Sequence, residues 1–262
     1  MNPSFKTLTK PFYRAFSSRL QIFDQGGRHS VSGIRATIFG ATGFMGPYIG
    51  SAIGYIGSDL IFPHDHRFLY DDEVKELKLC AGTGQSYLVR DMDFDDLKMI
   101  DRVIANSNVV INLLGPRKKV KNIKEFEYIN RTVPRRIAQA CARNPNVIRY
   151  LQFSAVGADV KSQSMDFRTK ALGEQDVMEA FPNTTIIRPT TVYGPNDYFM
   201  RLWLAQKNFF YNFNVVFDDC KAKRQPIFVT DVAMATLNAL KMHETCGKTY
   251  ELGILIYFIR LL

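Results

Sequence analysis

Several things are scarce in this sequence, and each scarcity excludes something. There are four cysteines in 262 residues, Cys80, Cys141, Cys220 and Cys246, and no C-x-x-C pair. That argues against a disulfide scaffold and a cysteine zinc site, and fits a reducing compartment. The four histidines, His29, His64, His66 and His243, make no metal spacing, so no metal is expected. No apolar stretch approaches the ~20 residues that span a bilayer. The longest run, Ile254 to Ile259, is stopped by Arg260. No repeat, low-complexity tract or clear linker interrupts the chain. What remains is ordinary globular composition, 46% hydrophobic and 23% charged, which excludes disorder.

Acid is missing from the start. The first acidic residue is Asp24, and before it come Lys6, Lys10, Arg14 and Arg19 among Phe5, Leu8, Phe12, Phe16 and Leu20. A basic, hydroxyl-rich, amphipathic opening has the composition of a mitochondrial transit peptide, the alternative being a plain basic tail. Arg14-Ala15-Phe16 before Ser17-Ser18 looks like a matrix-protease site. Its removal takes four positive charges, so a net +9 falls to +5. Much of the basicity is then an address label. With no stacking motif and no nucleic-acid-binding fold, a nucleic-acid partner is not expected.

From Ile34 on, short apolar runs alternate with helical spacing. Strands are expected at 36–39, 60–62, 86–89, 109–114, 148–153, 185–187, 226–229 and 248–252. Helices are expected at 48–56, 95–104, 126–142 (interrupted by Pro134), 171–181, 198–210 and 231–241, the last N-capped by Thr230. Strands that are apolar throughout and separated by helices mean a parallel sheet covered on both faces, an α/β doubly wound fold. Residues 1–30 read as transit peptide and arm, 31–195 as a Rossmann domain, and 196–262 as a small, truncated C-terminal substrate-side region with the last sheet strands.

Gly40-Ala41-Thr42-Gly43-Phe44-Met45-Gly46 lies directly between the first strand and the first helix. In that context the first glycine permits a tight turn. The second lets backbone amides approach a pyrophosphate, and the third lets the helix lie close to the sheet. The alternative is a tight turn with no ligand. At the end of the second strand the chain reads Pro63-His64-Asp65-His66-Arg67. An acid there suits the ribose of NAD and a cation the 2′-phosphate of NADP. Arg67, helped by His64 or His66, favours NADPH over NADH. Asp93 is placed to contact the adenine amino group or to cap the helix that follows.

The G-x-x-G-x-x-G spacing resembles the extended and atypical short-chain dehydrogenase/reductases. Asn112-Leu113-Leu114-Gly115 resembles their turn beside adenine and ribose. Arg188-Pro189-Thr190-Thr191-Val192-Tyr193-Gly194-Pro195 is similar to their R-P-x-x-V-Y-G-P, and Val229-Thr230-Asp231-Val232-Ala233 to their V-x-D-V-A. The resemblance spans about residues 33 to 253. It implies cofactor contacts from Gly40, Thr42, Gly43, Phe44, Met45, Gly46, Leu113, Leu114, Gly115, Ser154, Lys170 and Pro189. It also implies a catalytic Ser at Ser154, a Lys at Lys170 and a Tyr at position 166, where this chain has Asp166. A carboxylate is ionised at pH 7 unless strongly buried, and is shorter than a phenol. No Tyr lies between Gly157 and Lys170 to replace it. The catalytic set therefore reads as vestigial.

Ser30–Gly33, Phe39–Phe44, Ser107–Leu113, Lys170–Glu174 and Gln225–Val229 together resemble the alpha subcomplex subunit 9 family of mitochondrial NADH:ubiquinone oxidoreductase (complex I). That resemblance implies a non-catalytic, NADPH-holding accessory subunit on the matrix side of the inner membrane. Its partners would be other complex I subunits. Two alternatives are a free NADP-dependent reductase or epimerase, and a nucleotide-sensing regulator. The basic loop Pro116–Lys124 suits anionic lipid or an acidic neighbour, or is simply a solvated loop. Phe209–Phe213 suits core or interface.

Overall fold

The structure is a computed structural model. It describes residues 31–65, 71–116, 122–198, 200, 201, 205 and 225–253. The expected transit peptide, Arg67, the basic loop's residues 117–121 and the aromatic run 209–213 lie outside these residues.

β1 (Arg35–Phe39) is buried from its second residue on, as a central strand requires. It is followed by α1 (Gly46–Gly54), β2 (Asp59–Pro63), α2 (Asp71–Lys78), β3 (Ser86–Val89), α3 (Leu97–Ile104) and β4 (Val109–Asn112). Their strands pair in parallel, the arrangement in which crossovers are almost always right-handed. A helical path then covers α4 (Ile123–Glu127), a π-helical turn (Tyr128–Thr132) and α5 (Val133–Arg143). After it come β5 (Arg149–Phe153), α6 (Met165–Ala180) and β6 (Thr184–Pro189). β7 (Val192–Tyr193), β8 (Ile227–Phe228), α7 (Val229–Lys241), a 3-10 turn (His243–Thr245) and β9 (Thr249–Leu252) complete the described chain.

Among the described residues the sheet has seven strands in the order β3-β2-β1-β4-β5-β6-β9, and every pair is parallel. β7 and β8 pair separately, also in parallel. One apolar cluster lies under α1, α2 and α7 and includes Ile38, Ile49, Phe62, Leu77 and Leu237. The other lies under α3, α5 and α6 and includes Phe39, Ile100, Val110, Ile137, Tyr150 and Val177. No helix among the described residues is long and apolar enough to cross a membrane.

Four expectations need correction. Pro134 does not break the long helix. It sits in the first turn of α5, and the π turn just before it absorbs the missing amide. Thr230 is not an N-cap, because α7 already begins at Val229 with Phe228 in the cap position. α6 starts at Met165, one and a half turns before the expected Ala171, because its first turns are polar and half-exposed. α2 was not expected at all, since only Val74 and Leu77 are apolar in it, yet both are buried.

Arg149 shows how the far edge is fastened. It is 2% exposed inside β5. Its guanidinium donates to the carbonyls of Ala239 (2.8 Å) and Met242 and to Thr245 Oγ1 (3.1 Å), and touches Cys246 Sγ. A buried cation is thus satisfied by the C-terminal carbonyls of α7, where the helix dipole is negative.

Candidate nucleotide-binding site

Strand order reverses between β1 and β4, and a doubly wound sheet binds its ligand in the crevice beyond the strand ends there. The chain leaves β1 through Gly40 at φ +75°. A Cβ at Gly40 would lie 2.9 Å from the Leu114 nitrogen and 3.0 Å from the Leu113 carbonyl carbon. Only glycine lets this turn lie against the loop leaving β4. Gly46 is tighter, with a Cβ placed 1.7 Å from the Ala41 oxygen, so α1 starts directly over the turn. The amides of Gly43 and Gly46 donate to the carbonyls of Gly40 and Gly43, both at 3.0 Å. Among the described residues the amides of Phe44 and Met45 have no acceptor. They stand at the positive end of α1, an arrangement that suits a phosphate.

Gly40, Gly43, Phe44, Met45, Gly46, Leu113 and Val192 line one hollow of about 160 Å³. That is room for a diphosphate, and less than a whole dinucleotide needs. Thr42 is half-buried in the same loop. The opposite wall is fixed from below. Asn112 accepts from the Leu114 amide (3.1 Å) and donates to Gln152 Oε1 (2.9 Å), which also accepts from the Tyr150 hydroxyl (2.7 Å). This buried network sets the loop carrying Leu113, Leu114 and Gly115, and Gly115 stands exposed at its end.

Of the residues expected to set the nucleotide preference, His64 and Asp93 are described, and His66 and Arg67 lie outside the described residues. His64 is 5% exposed, and its Nδ1 donates to the Val89 carbonyl (2.9 Å), so the ring is tied to β3. Asp93 is exposed and accepts from the Asp95 amide (2.9 Å). The cap of α3 is Asp96, which accepts from Lys98 N, so Asp93 shapes the preceding turn.

At the end of β5 the Ser154 amide donates to Ile187 O (2.8 Å), while its hydroxyl oxygen is buried with no partner. Thr190, just past β6, has the same orphaned hydroxyl. Pro189 is buried, and its carbonyl accepts from the Val156 amide (3.1 Å). On α6, Lys170 Nζ donates to Asp166 Oδ2 at 2.9 Å, one turn apart on the same face. Asn130, inside the π turn, donates to Asp166 Oδ1 (3.0 Å) and Thr169 Oγ1 (2.9 Å). Gly173 makes this possible, since a Cβ there would lie 1.9 Å from the Asn130 carbonyl oxygen. Thr190 and Val192 stand in the R-P-x-x-V-Y-G-P segment, which assigns them no role of their own, and Asn130 escapes a reading of the sequence. The one local signal was an Asn in a helical stretch just ahead of Pro134, where π turns mark functional positions.

A turn that admits no Cβ at Gly40 or Gly46, amides without a backbone acceptor at Phe44 and Met45, and an orphaned serine hydroxyl at the end of β5 fit a nicotinamide dinucleotide. Residues 36–253 match the pattern of the NAD dependent epimerase/dehydratase family. The chain belongs to that family. Its fold agrees with that of UDP-glucuronic acid 4-epimerase from Bacillus cereus, solved in complex with NAD, at a TM-score of 0.73 and 17% identity. That match covers 86% of this chain and 79% of the epimerase. Two curated relatives carry the name NADH dehydrogenase (ubiquinone) 1 alpha subcomplex subunit 9, mitochondrial. The Arabidopsis thaliana protein is 40% identical over 87% of this chain and 56% of its own length. The Mus musculus protein is 38% identical over 86% and 58%. The chain thus spans a little over half the length of these relatives. Membership of the NAD dependent epimerase/dehydratase family supports a nicotinamide dinucleotide as the cofactor.

Proposed function

We propose that this chain is a non-catalytic accessory subunit of mitochondrial complex I that holds NADPH as a structural ligand. The relatives' names support the complex I part and the mitochondrial location. The observation that carries the non-catalytic part is the Asp166–Lys170 ion pair. A bound nicotinamide dinucleotide supplies a hydride, and turnover also needs a group that passes a proton to the reacting oxygen. In this chain that position holds a carboxylate whose two oxygens are taken by Lys170 and Asn130. Lys170 in turn spends one donor on Asp166. The cradle and the ribose lysine remain, so the site binds and orients without transferring a proton.

The preference for NADPH rests on Arg67, with His64 or His66 beside it. Arg67→Ala should weaken NADPH more than NADH; equal loss in a binding titration would reverse the preference. The subunit would sit on the matrix side of the inner membrane, against other complex I subunits, and its basic sequence 116–124 would suit anionic lipid or an acidic neighbour.

Native gel electrophoresis of mitochondrial membranes tests the whole reading. Co-migration with a megadalton assembly that carries NADPH supports it. A small soluble species that consumes NADPH with a carbonyl substrate overturns it. That outcome would favour the second reading, a free NADP-dependent reductase or epimerase, for which the orphaned hydroxyl of Ser154 is the supporting feature.

A further inference from the structure

Resting on the dinucleotide reading above, we propose that Asp166 is a specificity residue for the redox state of the nucleotide. Its carboxylate cancels the Lys170 charge beside the nicotinamide, so the site tolerates the oxidised, cationic ring.

The oxidised and reduced forms differ at the ring by one positive charge. The charge the protein places there therefore decides their relative affinity. With the diphosphate at the β1 turn, the nicotinamide half would extend over the carboxyl ends of β4, β5 and β6. β5 ends just before Ser154, and α6, which follows it and carries Asp166 and Lys170 in its first turns, starts at that same end of the sheet. A lysine with an uncharged partner would present a net cation to the ring and favour the reduced form. Here Asp166 Oδ2 lies 2.9 Å from Lys170 Nζ, and the pair is neutral as a unit. The two side chains are 30% and 20% exposed, so water screens them only in part.

The carboxylate is also held in place. Asn130 fixes its second oxygen, and Thr169 and the close approach at Gly173 fix Asn130. Among the described residues, α6 makes two further ion pairs. Glu174 is paired with Arg188 (2.6 Å), and Arg131 with Asp176 (2.6 Å). Arg168 is two residues from Asp166 and so lies on the other side of α6.

The test is a pair of titrations of the full chain with NADP+ and NADPH, or with NAD+ and NADH if that pair binds more tightly. Asp166→Asn keeps the shape and leaves Lys170 uncompensated. It should weaken the oxidised form relative to the reduced form by about tenfold. Lys170→Met leaves the opposite charge; both forms should bind less well, with the ratio moving the other way. Asp166→Ala gives the same sign as Asp166→Asn should the asparagine variant fold poorly. A ratio unchanged within about twofold, or moved in the same direction by the aspartate and lysine variants, overturns the proposal, because a structural ion pair would weaken both forms alike. Failure of the unaltered chain to bind either form overturns the dinucleotide reading itself.

Discussion

At the scale of single residues, Gly40 shows two constraints that a glycine motif cannot separate on paper. One is the backbone angle and the other is contact with the β4 loop. Gly84 shares the angle, at φ +81°, but has open space where a Cβ would go. Gly84→Ala should therefore cost about 1–2 kcal/mol of strain and leave nucleotide binding intact. Gly40→Ala should cost that and also push Leu113 and Leu114 away, so the purified variant should carry no nucleotide, read from the absorbance of what is released on denaturation. Arg188 is a different case. It donates to Glu174 at 3.0 and 2.6 Å and to Glu251 at 3.3 Å, and the Glu174 bond holds its guanidinium pKa above the ordinary value. Glu174 is 6% exposed. Arg188→Gln strands that carboxylate and should cost about 3–5 kcal/mol in urea unfolding, while Glu174→Gln with Arg188→Gln should recover much of the loss.

At the scale of elements, the crossing of α6 over the π turn matters most. Gly173 lets the two backbones touch, and the crossing brings Asn130 onto Asp166 from 36 positions away. Gly173→Ala forces them apart and should cost about 1–3 kcal/mol by urea unfolding. It should also break the Asn130–Asp166 hydrogen bond, which a shift of the Asn130 side-chain amide resonances in an NMR spectrum would show. The first strand, glycine turn and first helix were legible in the sequence because their signals are contiguous: an apolar run, three spaced glycines, then helical periodicity. The π turn was not, because Pro134 reads locally as a break, and only packing against α6 keeps the helical path going. α2 was illegible for a related reason. Its two apolar residues make too little pattern, and the sheet supplies what the helix lacks.

For the whole molecule, burial sets an alkaline limit. Burial pushes the Tyr150 phenol and the Cys141 thiol well above their ordinary values. In the unfolded chain both ionise at those ordinary values, so above them the unfolded state binds fewer protons and stability falls as pH rises. Urea midpoints should hold near neutrality and drop from about pH 9 upward. Tyr150→Phe combined with Cys141→Ala should flatten that slope, at some cost in stability from the Asn112–Gln152–Tyr150 network. The sequence by itself determined the parallel α/β architecture, the place of the glycine turn between β1 and α1, and an aspartate four residues before Lys170, because each is written in neighbouring residues. Only the tertiary structure decided what holds that carboxylate: Lys170 is one helical turn away, but Asn130 comes from the π turn. It likewise decided that Arg149 ends α7 and that Ser154 and Thr190 keep unspent hydroxyls. Those outcomes depend on which chain segments meet across the sheet, and local spacing carries no record of that.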